Sequence, residues 1–283
     1  MKEYDKYLKL LKEKYPTKQS VYRELINLNA IMNLPKGTEH FMSDLHGEYD
    51  AFYHIINNCS GVIREKVAML YGDELTVYEQ QELCTLIYYP REKLSILMDE
   101  NKVNDEWYRN VLNQLIQIAK LLSSKYTRSK VRKAMPVDFA YIIDELIHAQ
   151  KDEDDNRSVY HRQIMETILS LHNGDEFLVA LTDLIKRLAV DHLHILGDIY
   201  DRGAHADKIL DLLMEHHSVD IQWGNHDILW MGAFCGNPVC MALVVRNNIK
   251  YKTMSILENG YGISLRFLLR FAVCLLYTSP SPR

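Results

Sequence analysis

Apolar positions recur at helical spacing along most of this chain, and only three short runs break that rhythm. Tyr4, Tyr7, Leu8 and Leu11 share one face of a first helix that Pro16 closes, and a second short helix is expected over 21–32. Pro35-Lys36-Gly37 then punctuates the pattern, and 38–43 reads as a short strand entering Asp44-Leu45-His46-Gly47. A helix carrying Phe52, Ile55 and Ile56 should follow Glu48 and end near Asn57, Asn58 and Gly61. From 62 to 189 the pattern is mostly helical. Leu112, Leu115, Ile116, Ala119 and Leu122 make one buried face, and Leu178, Leu181, Ile185 and Leu188 another. The charge run at 151–157 reads as a solvated loop.

From Val190 the period changes. Leu193, Ile195 and Leu196 form a short apolar run into Gly197-Asp198, a helix is expected over 206–216, and 219–223 forms a second run into Gly224-Asn225-His226-Asp227. Strand, helix and strand in that length make a βαβ unit, so the two strands should be parallel neighbours. Both polar clusters then sit at carboxyl ends of strands, where open α/β sheets place their ligands.

Composition adds limits. The 283 residues are 47% hydrophobic and 25% charged, an ordinary globular balance, and the net charge of −5 argues against a nucleic-acid partner. The charged start has no signal-peptide core, and Arg266 and Arg270 interrupt the apolar stretch at 263–277 well short of a membrane span. A soluble, cytoplasmic protein without a membrane partner is the expectation. The five scattered cysteines read as reduced thiols, because the four residues between Cys235 and Cys240 do not match a zinc-ribbon spacing. The segment 274–283 (CLLYTSPSPR) continues no helical or strand pattern and reads as a non-native tail.

Three clusters carry candidate chemistry: Asp44-x-His46, Gly197-Asp198-x-x-Asp201-Arg202-Gly203 and Gly224-Asn225-His226-Asp227. Carboxylate, imidazole and amide oxygen together suit manganese, iron or zinc better than a thiolate site would. Asp44 and His46, two residues apart on extended backbone, fall on one side and can chelate one ion. Other residues have blander readings. Asp227 caps the following helix, His192 and His194 are structural, and His205, His216 and His217 lie on helix surfaces, the last two well placed near a helix C-terminus. Cys240 and Met231 read as packing residues.

The ordered set of clusters resembles the signature of calcineurin-like metallophosphoesterases. LINLNAIMNLPKGTEHFMSDLHGEYDAF, LIYYPREKL, KYTRSKVRKAMP, LGDIYDRGAHADKILDLL, SVDIQWGNHDILWMGA and SILENGYGISLR are similar to class III fructose-1,6-bisphosphatases over roughly 20–270. That resemblance implies two divalent cations, manganese being expected, and hydrolysis of the 1-phosphate of fructose 1,6-bisphosphate, a small sugar bisphosphate, in gluconeogenesis. Carried over residue by residue, Asp44 and His46 would bind the first metal, Asp198 would bridge both, and Asn225 would bind the second. His226 would protonate the leaving oxygen, Asp201 would fix the His226 ring, and Arg202 would grip the phosphate. Attack would be direct and in line, without a covalent enzyme intermediate.

Two departures qualify the resemblance. About 150 residues separate His46 from Gly197, which disfavours a protein Ser/Thr phosphatase and fits the helical insertion of the class III enzymes. His226 is the last of 12 histidines, whereas such sites need further histidine ligands downstream. The expected fold is therefore α/β, part of a metallophosphoesterase sandwich with βαβ units and a large helical insertion. Its divisions would be N-terminal helices over 1–35, an incomplete core over 36–61 and 190–270, the insertion over 62–189, and the tail. An incomplete piece of this kind is expected to be inactive alone and leaves room for a homo-oligomer. A calcineurin-like phosphatase for another phosphoester, or a truncated non-catalytic metal-binding or interaction protein, are the competing expectations.

Overall fold

A computed structural model describes residues 3–149 and 155–278. Two helices open the chain, α1 (Glu3–Lys14) and α2 (Lys18–Met32), the second started by a capping box in which Thr17 and Ser20 bond reciprocally. Strand β1 (Glu39–Met42) then leads through a loop into α3 (Tyr49–Asn58). Eight helices follow before the next strand: α4 (Val62–Tyr71), α5 (Val77–Tyr88), α6 (Pro90–Asp99), α7 (Asp105–Ser123), α8 (Arg128–Ala134), α9 (Ala140–His148), α10 (Asp155–Ser170) and α11 (Gly174–Ala189). After β2 (His192–Ile195) come α12 (Ala206–Glu215), β3 (Val219–Ile221), α13 (Asn225–Phe234), α14 (Pro238–Tyr251) and α15 (Arg266–Thr278).

The three strands form one parallel sheet in the order β1-β2-β3, with Phe41 opposite His194 and His194 opposite Asp220. The expected βαβ unit is thus present as β2-α12-β3. Strand β1 joins it across the long helical stretch, so the segments after β1, β2 and β3 leave the sheet at one end. Mixed α/β architecture with a small parallel sheet is what the strand runs predicted.

Two buried clusters organise the packing. The larger lies among α4–α11, where Leu112, Leu115, Ile118 and Leu122 of α7 meet Phe177, Leu178, Leu181 and Ile185 of α11, all buried. The smaller packs Leu193 and Ile195 of β2 against Ile209 and Leu213 of α12 and Phe52 of α3. Alternation along β2 puts Leu193 and Ile195 in that core, while His192 and His194 face the other side of the sheet.

Several expectations need correction. The residues 155–157 open α10 instead of extending a loop, while 150–154 lie outside the described residues. Helix α15 runs through Cys274 to Thr278, so the first half of the supposed tail does continue a helix; 279–283 lie outside the described residues. The apolar face of α1 is largely exposed, with Tyr4 at 69% and Tyr7 at 58%, and only Leu11 is half-buried. Met231 is half-exposed and not a packing residue, whereas His216 is half-buried and not on the surface. Among the described residues no helix is long and apolar enough to cross a membrane.

Candidate active site

The three polar clusters of the sequence meet at the carboxyl end of the sheet, and backbone hydrogen bonds bind the first loop to the second. Asp44 N–H donates to the Gly197 carbonyl (3.2 Å), His46 N–H to Asp198 (2.8 Å) and Gly47 N–H to Ile199 (2.7 Å). In return, Gly203 N–H donates to His46 (2.5 Å) and His205 N–H to Gly47 (3.2 Å). This close approach explains two glycines. A Cβ on Gly47, whose φ is +73°, would lie 2.5 Å from the Gly203 carbonyl oxygen, and one on Gly203 would run into the Gly47 backbone.

The second loop is joined to the third by carboxylates. Asp227, buried at the start of α13, accepts four backbone N–H groups: Gly224 (2.8 Å), Asp198 (2.7 Å), Ile199 (3.0 Å) and Tyr200 (3.2 Å). Its role as a cap is therefore real but small beside its role in shaping the Gly-Asp-x-x-Asp turn. An aspartate three residues into a helix signals the cap in sequence; the three distant donors carry no local signal. Asp198 Oδ1 accepts from His226 N–H at 3.1 Å, which seats Gly224 against that carboxylate.

Backbone strain concentrates here. Asp44 (φ 56°), His46 (φ 47°), Asp198 (φ 54°) and Asp201 (φ 148°) all hold positive φ without being glycine. Such conformations cost on the order of 1–3 kcal/mol each and persist where surrounding contacts enforce them, most often at functional sites.

Side-chain geometry distinguishes the candidates. The His46 Nδ1 lies 3.3 Å from the Tyr200 carbonyl, an acceptor only, so Nδ1 carries the proton and Nε2 presents its lone pair. That Nε2 lies 3.6 Å from Asp44 Oδ1, close to the separation of two ligands on one ion and too long for a hydrogen bond. Asp201, with its side chain only 2% exposed, sits between two imidazoles: Oδ2 is 4.0 Å from His46 Nδ1 and Oδ1 is 3.3 Å from His226 Nδ1. The second contact is not aligned as a hydrogen bond, and Asp201 Oδ1 is buried without a partner. Arg202, 65% exposed, donates from Nε to Asp201 Oδ2 at 3.2 Å. Asn225 is exposed at the first position of α13, between Gly224 and His226, both of which touch Asp198.

The donor set fits a divalent cation. Hard carboxylates and an imidazole whose second nitrogen is committed to a backbone carbonyl are what metal-binding histidine sites present. Yet among the described residues no group of three His, Cys, Asp or Glu ligand atoms lies within 4.8 Å in these loops; the group that does is His192, His194 and Asp220 on the sheet. Behind the second loop, Tyr200 stacks on Trp230 at 4.4 Å and its hydroxyl meets that of Tyr261, burial pushing the Tyr200 phenol well above its ordinary range. An apolar groove of about 670 Å³ opens beside this cluster, lined by Trp223, Trp230, Phe234 and Tyr261 among others. Its walls are mostly apolar, and Ile199, Tyr200 and Asp227 line it from the side of the loops.

Comparison with known proteins follows the same lines. The model of the Firmicute fructose-1,6-bisphosphatase family matches residues 6–281. A class 3 fructose-1,6-bisphosphatase of Clostridium beijerinckii is 53% identical over 96% of this chain and 42% of its own length. One from Listeria monocytogenes serotype 4b is 55% identical over 94% of this chain and 41% of its own. One from Clostridium acetobutylicum is 53% identical over 95% and 40%. The chain thus spans about two fifths of the length of the curated relatives it matches. No solved structure matches it.

Proposed function

The chain belongs to the Firmicute fructose-1,6-bisphosphatase family, and from that premise we propose that its three interlocked loops form part of the catalytic centre of a metal-dependent sugar bisphosphatase. The substrate would be fructose 1,6-bisphosphate, as the names of the relatives suggest, and the family resemblance implies that it loses its 1-phosphate. The fold would be part of a calcineurin-like sandwich, with 36–61 and 190–270 as core, 62–189 as insertion and 1–35 as leading helices. The two separate buried clusters support that division. A phosphorylated metabolite as substrate is in keeping with a cytoplasmic enzyme.

The observation that carries the reading is the tautomer and reach of His46. With Nδ1 donating to Tyr200, its Nε2 and the Asp44 carboxylate face each other as a two-residue chelate. Asp198 and Asn225 would complete a site for two divalent cations, manganese by preference for oxygen-rich donors. Such a pair, when bound, acidifies water and neutralises phosphoryl oxygen charge. The chain's own residues do the rest. Asp201, whose Oδ1 lies 3.3 Å from His226 Nδ1, would orient that ring, which leaves Nε2 as the nitrogen to hand a proton to the departing sugar oxygen. Arg202, exposed and braced by Asp201, offers its remaining guanidinium donors to the phosphate.

The test is phosphate release by a polypeptide in which this chain replaces the matching segment of the Clostridium beijerinckii relative, assayed with Mn²⁺. Fructose 1,6-bisphosphate should be preferred over nucleotides and phosphopeptides. Asp198→Asn should lower kcat by roughly three orders of magnitude or more, since it removes the carboxylate that would bridge the two cations. Near-native turnover in that variant would sink the assignment, and equal rates on other phosphoesters would favour a different substrate.

A further inference from the structure

The open face of the sheet carries a cluster that the loops do not use. One nitrogen from each of His192 and His194 and a carboxylate oxygen of Asp220 lie within 4.8 Å of one another. Their positions follow from strand geometry: His192 and His194 alternate outward along β2, and register sets Asp220 of β3 opposite His194. We propose that His192, His194 and Asp220 form a further metal site on this face, separate from the loop site and selective for a borderline divalent cation of the zinc type.

The hydrogen-bond inventory favours an ion over a plain side-chain network. His192 Nε2 is 3.3 Å from Asp220 Oδ2 and His194 Nδ1 is 2.8 Å from Asp220 Oδ1. With both rings neutral and no ion bound, both nitrogens donate to the carboxylate. His194 Nε2 is then left as a bare lone pair, inaccessible and without a hydrogen-bond partner, 3.8 Å from the Glu39 carboxylate. That arrangement is repulsive. With an ion, His192 Nε2, His194 Nδ1 and Asp220 become ligands, and the two protons move to the opposite ring nitrogens. His192 Nδ1–H then donates to Ser218 Oγ, 2.6 Å away, and His194 Nε2–H faces Glu39.

Every polar atom of the cluster gains a role in that state. Ligating imidazoles normally give their second N–H to an orienting acceptor; Ser218 Oγ is in place for His192, and the Glu39 carboxylate lies 3.8 Å from His194 Nε2. The 3.3 Å between His192 Nε2 and Asp220 is also the ligand–ligand spacing expected, roughly 3.3 Å, around a tetrahedral zinc. Phe41 stacks on the His194 ring at 4.4 Å and 12°, fixing its plane from β1. Asp220 is half-exposed, which gives the ion a way in. Two imidazoles with one carboxylate suit zinc, cobalt, nickel or iron and disfavour magnesium or calcium. The bound ion would clip β2 to β3.

The experiment uses the chelator-treated chain carrying Asp44→Asn and Asp198→Asn, which silence the loops, with Co²⁺ and Zn²⁺ as probes. Equilibrium dialysis should find one cation per chain, Co²⁺ should show the visible bands of imidazole ligation, and Zn²⁺ should raise the Tm. Adding Asp220→Asn or His192→Gln should weaken binding at least tenfold, circular dichroism confirming the fold. No uptake at micromolar zinc, or uptake unchanged by Asp220→Asn, overturns the proposal and leaves a protonated His–Asp network. Should the substituted chain unfold, the imidazole nitrogen shifts of His192 and His194 in the otherwise unsubstituted chain decide. Ring tautomers unchanged by Zn²⁺ refute the site, and inverted tautomers establish it. Failure here leaves the bisphosphatase reading untouched, because the loop residues are already silenced.

Discussion

At the scale of single residues, Asp227 holds more of the site together than any proposed ligand. Four backbone N–H groups converge on its buried carboxylate, three of them from the turn that carries Asp198. Asp227→Ala leaves those donors buried and unpaired, so unfolding free energy should fall by about 3 kcal/mol, measurable in urea, and cation affinity at the loops should fall with it. A change within experimental error would mean that water replaces the carboxylate. His216 makes a second residue-level prediction. Burial, reinforced by the charge of neighbouring His217, pushes its pKa down to about 4 from the ordinary 6.5. The unfolded chain therefore takes up a proton near pH 6.5 that the folded chain refuses until about pH 4. Stability from this group is full above pH 6.5 and lost as pH falls through that window. Urea unfolding between those limits should show a shallower acid limb in His216→Phe than in the parent chain. The same depressed pKa removes the charged interaction with the end of α12 that its sequence position suggested.

At the scale of elements, parallel strands in the order β1-β2-β3 make the site, since they deliver three loops to one edge. The first two loops then have to interlock with almost no space between Gly47 and Gly203. Gly47→Ala adds a Cβ that meets the Gly203 carbonyl and cannot relax at φ +73°, so a cost of about 2 kcal/mol or more is expected, with loss of cation binding. Chemical unfolding and cation titration of the variant check both parts. Much of this element structure was legible beforehand. The runs over 193–196 and 219–223, with a helical period between them, specify β2-α12-β3, though the strands end sooner, at Ile195 and Ile221, and the faces of α7 and α11 are buried where their spacing says. What could not be read locally depends on distant partners. No pattern near residue 40 says that β1 lies beside β2, and nothing in Gly-Asn-His-Asp announces that its aspartate reaches Ile199 and Tyr200. The aromatic pair Tyr200–Trp230 and the His–Asp–His cluster likewise exist only once the strands are in register. Family resemblance supplied the loop residues, but periodicity could not supply their contacts.

At the scale of the whole molecule, two groups of large apolar side chains stand exposed among the described residues. On α2, Leu25 is 56%, Ile26 71% and Met32 82% exposed, and around the groove Trp223 is 66% and Phe234 93% exposed. Contiguous apolar patches beyond a few hundred Å² on soluble proteins mark surfaces that some other surface covers. The two patches differ in kind. Residues of α2 form a helix face whose backbone is already satisfied, whereas the groove lies beside β3, an edge strand with unpaired backbone groups among the described residues. An exposed strand edge flanked by aromatic side chains adds directional pairing to apolar attraction, so the groove should dominate self-association. Sedimentation of the isolated chain should show concentration-dependent association. Trp223→Gln with Phe234→Ser should reduce it more than Leu25→Gln with Ile26→Gln, by at least several-fold in association constant. These groove residues lie outside the proposed ligands, so cation binding at the loops should survive the first pair of changes. Equal effects from both pairs would mean that apolar area alone drives association, and that the strand edge adds nothing.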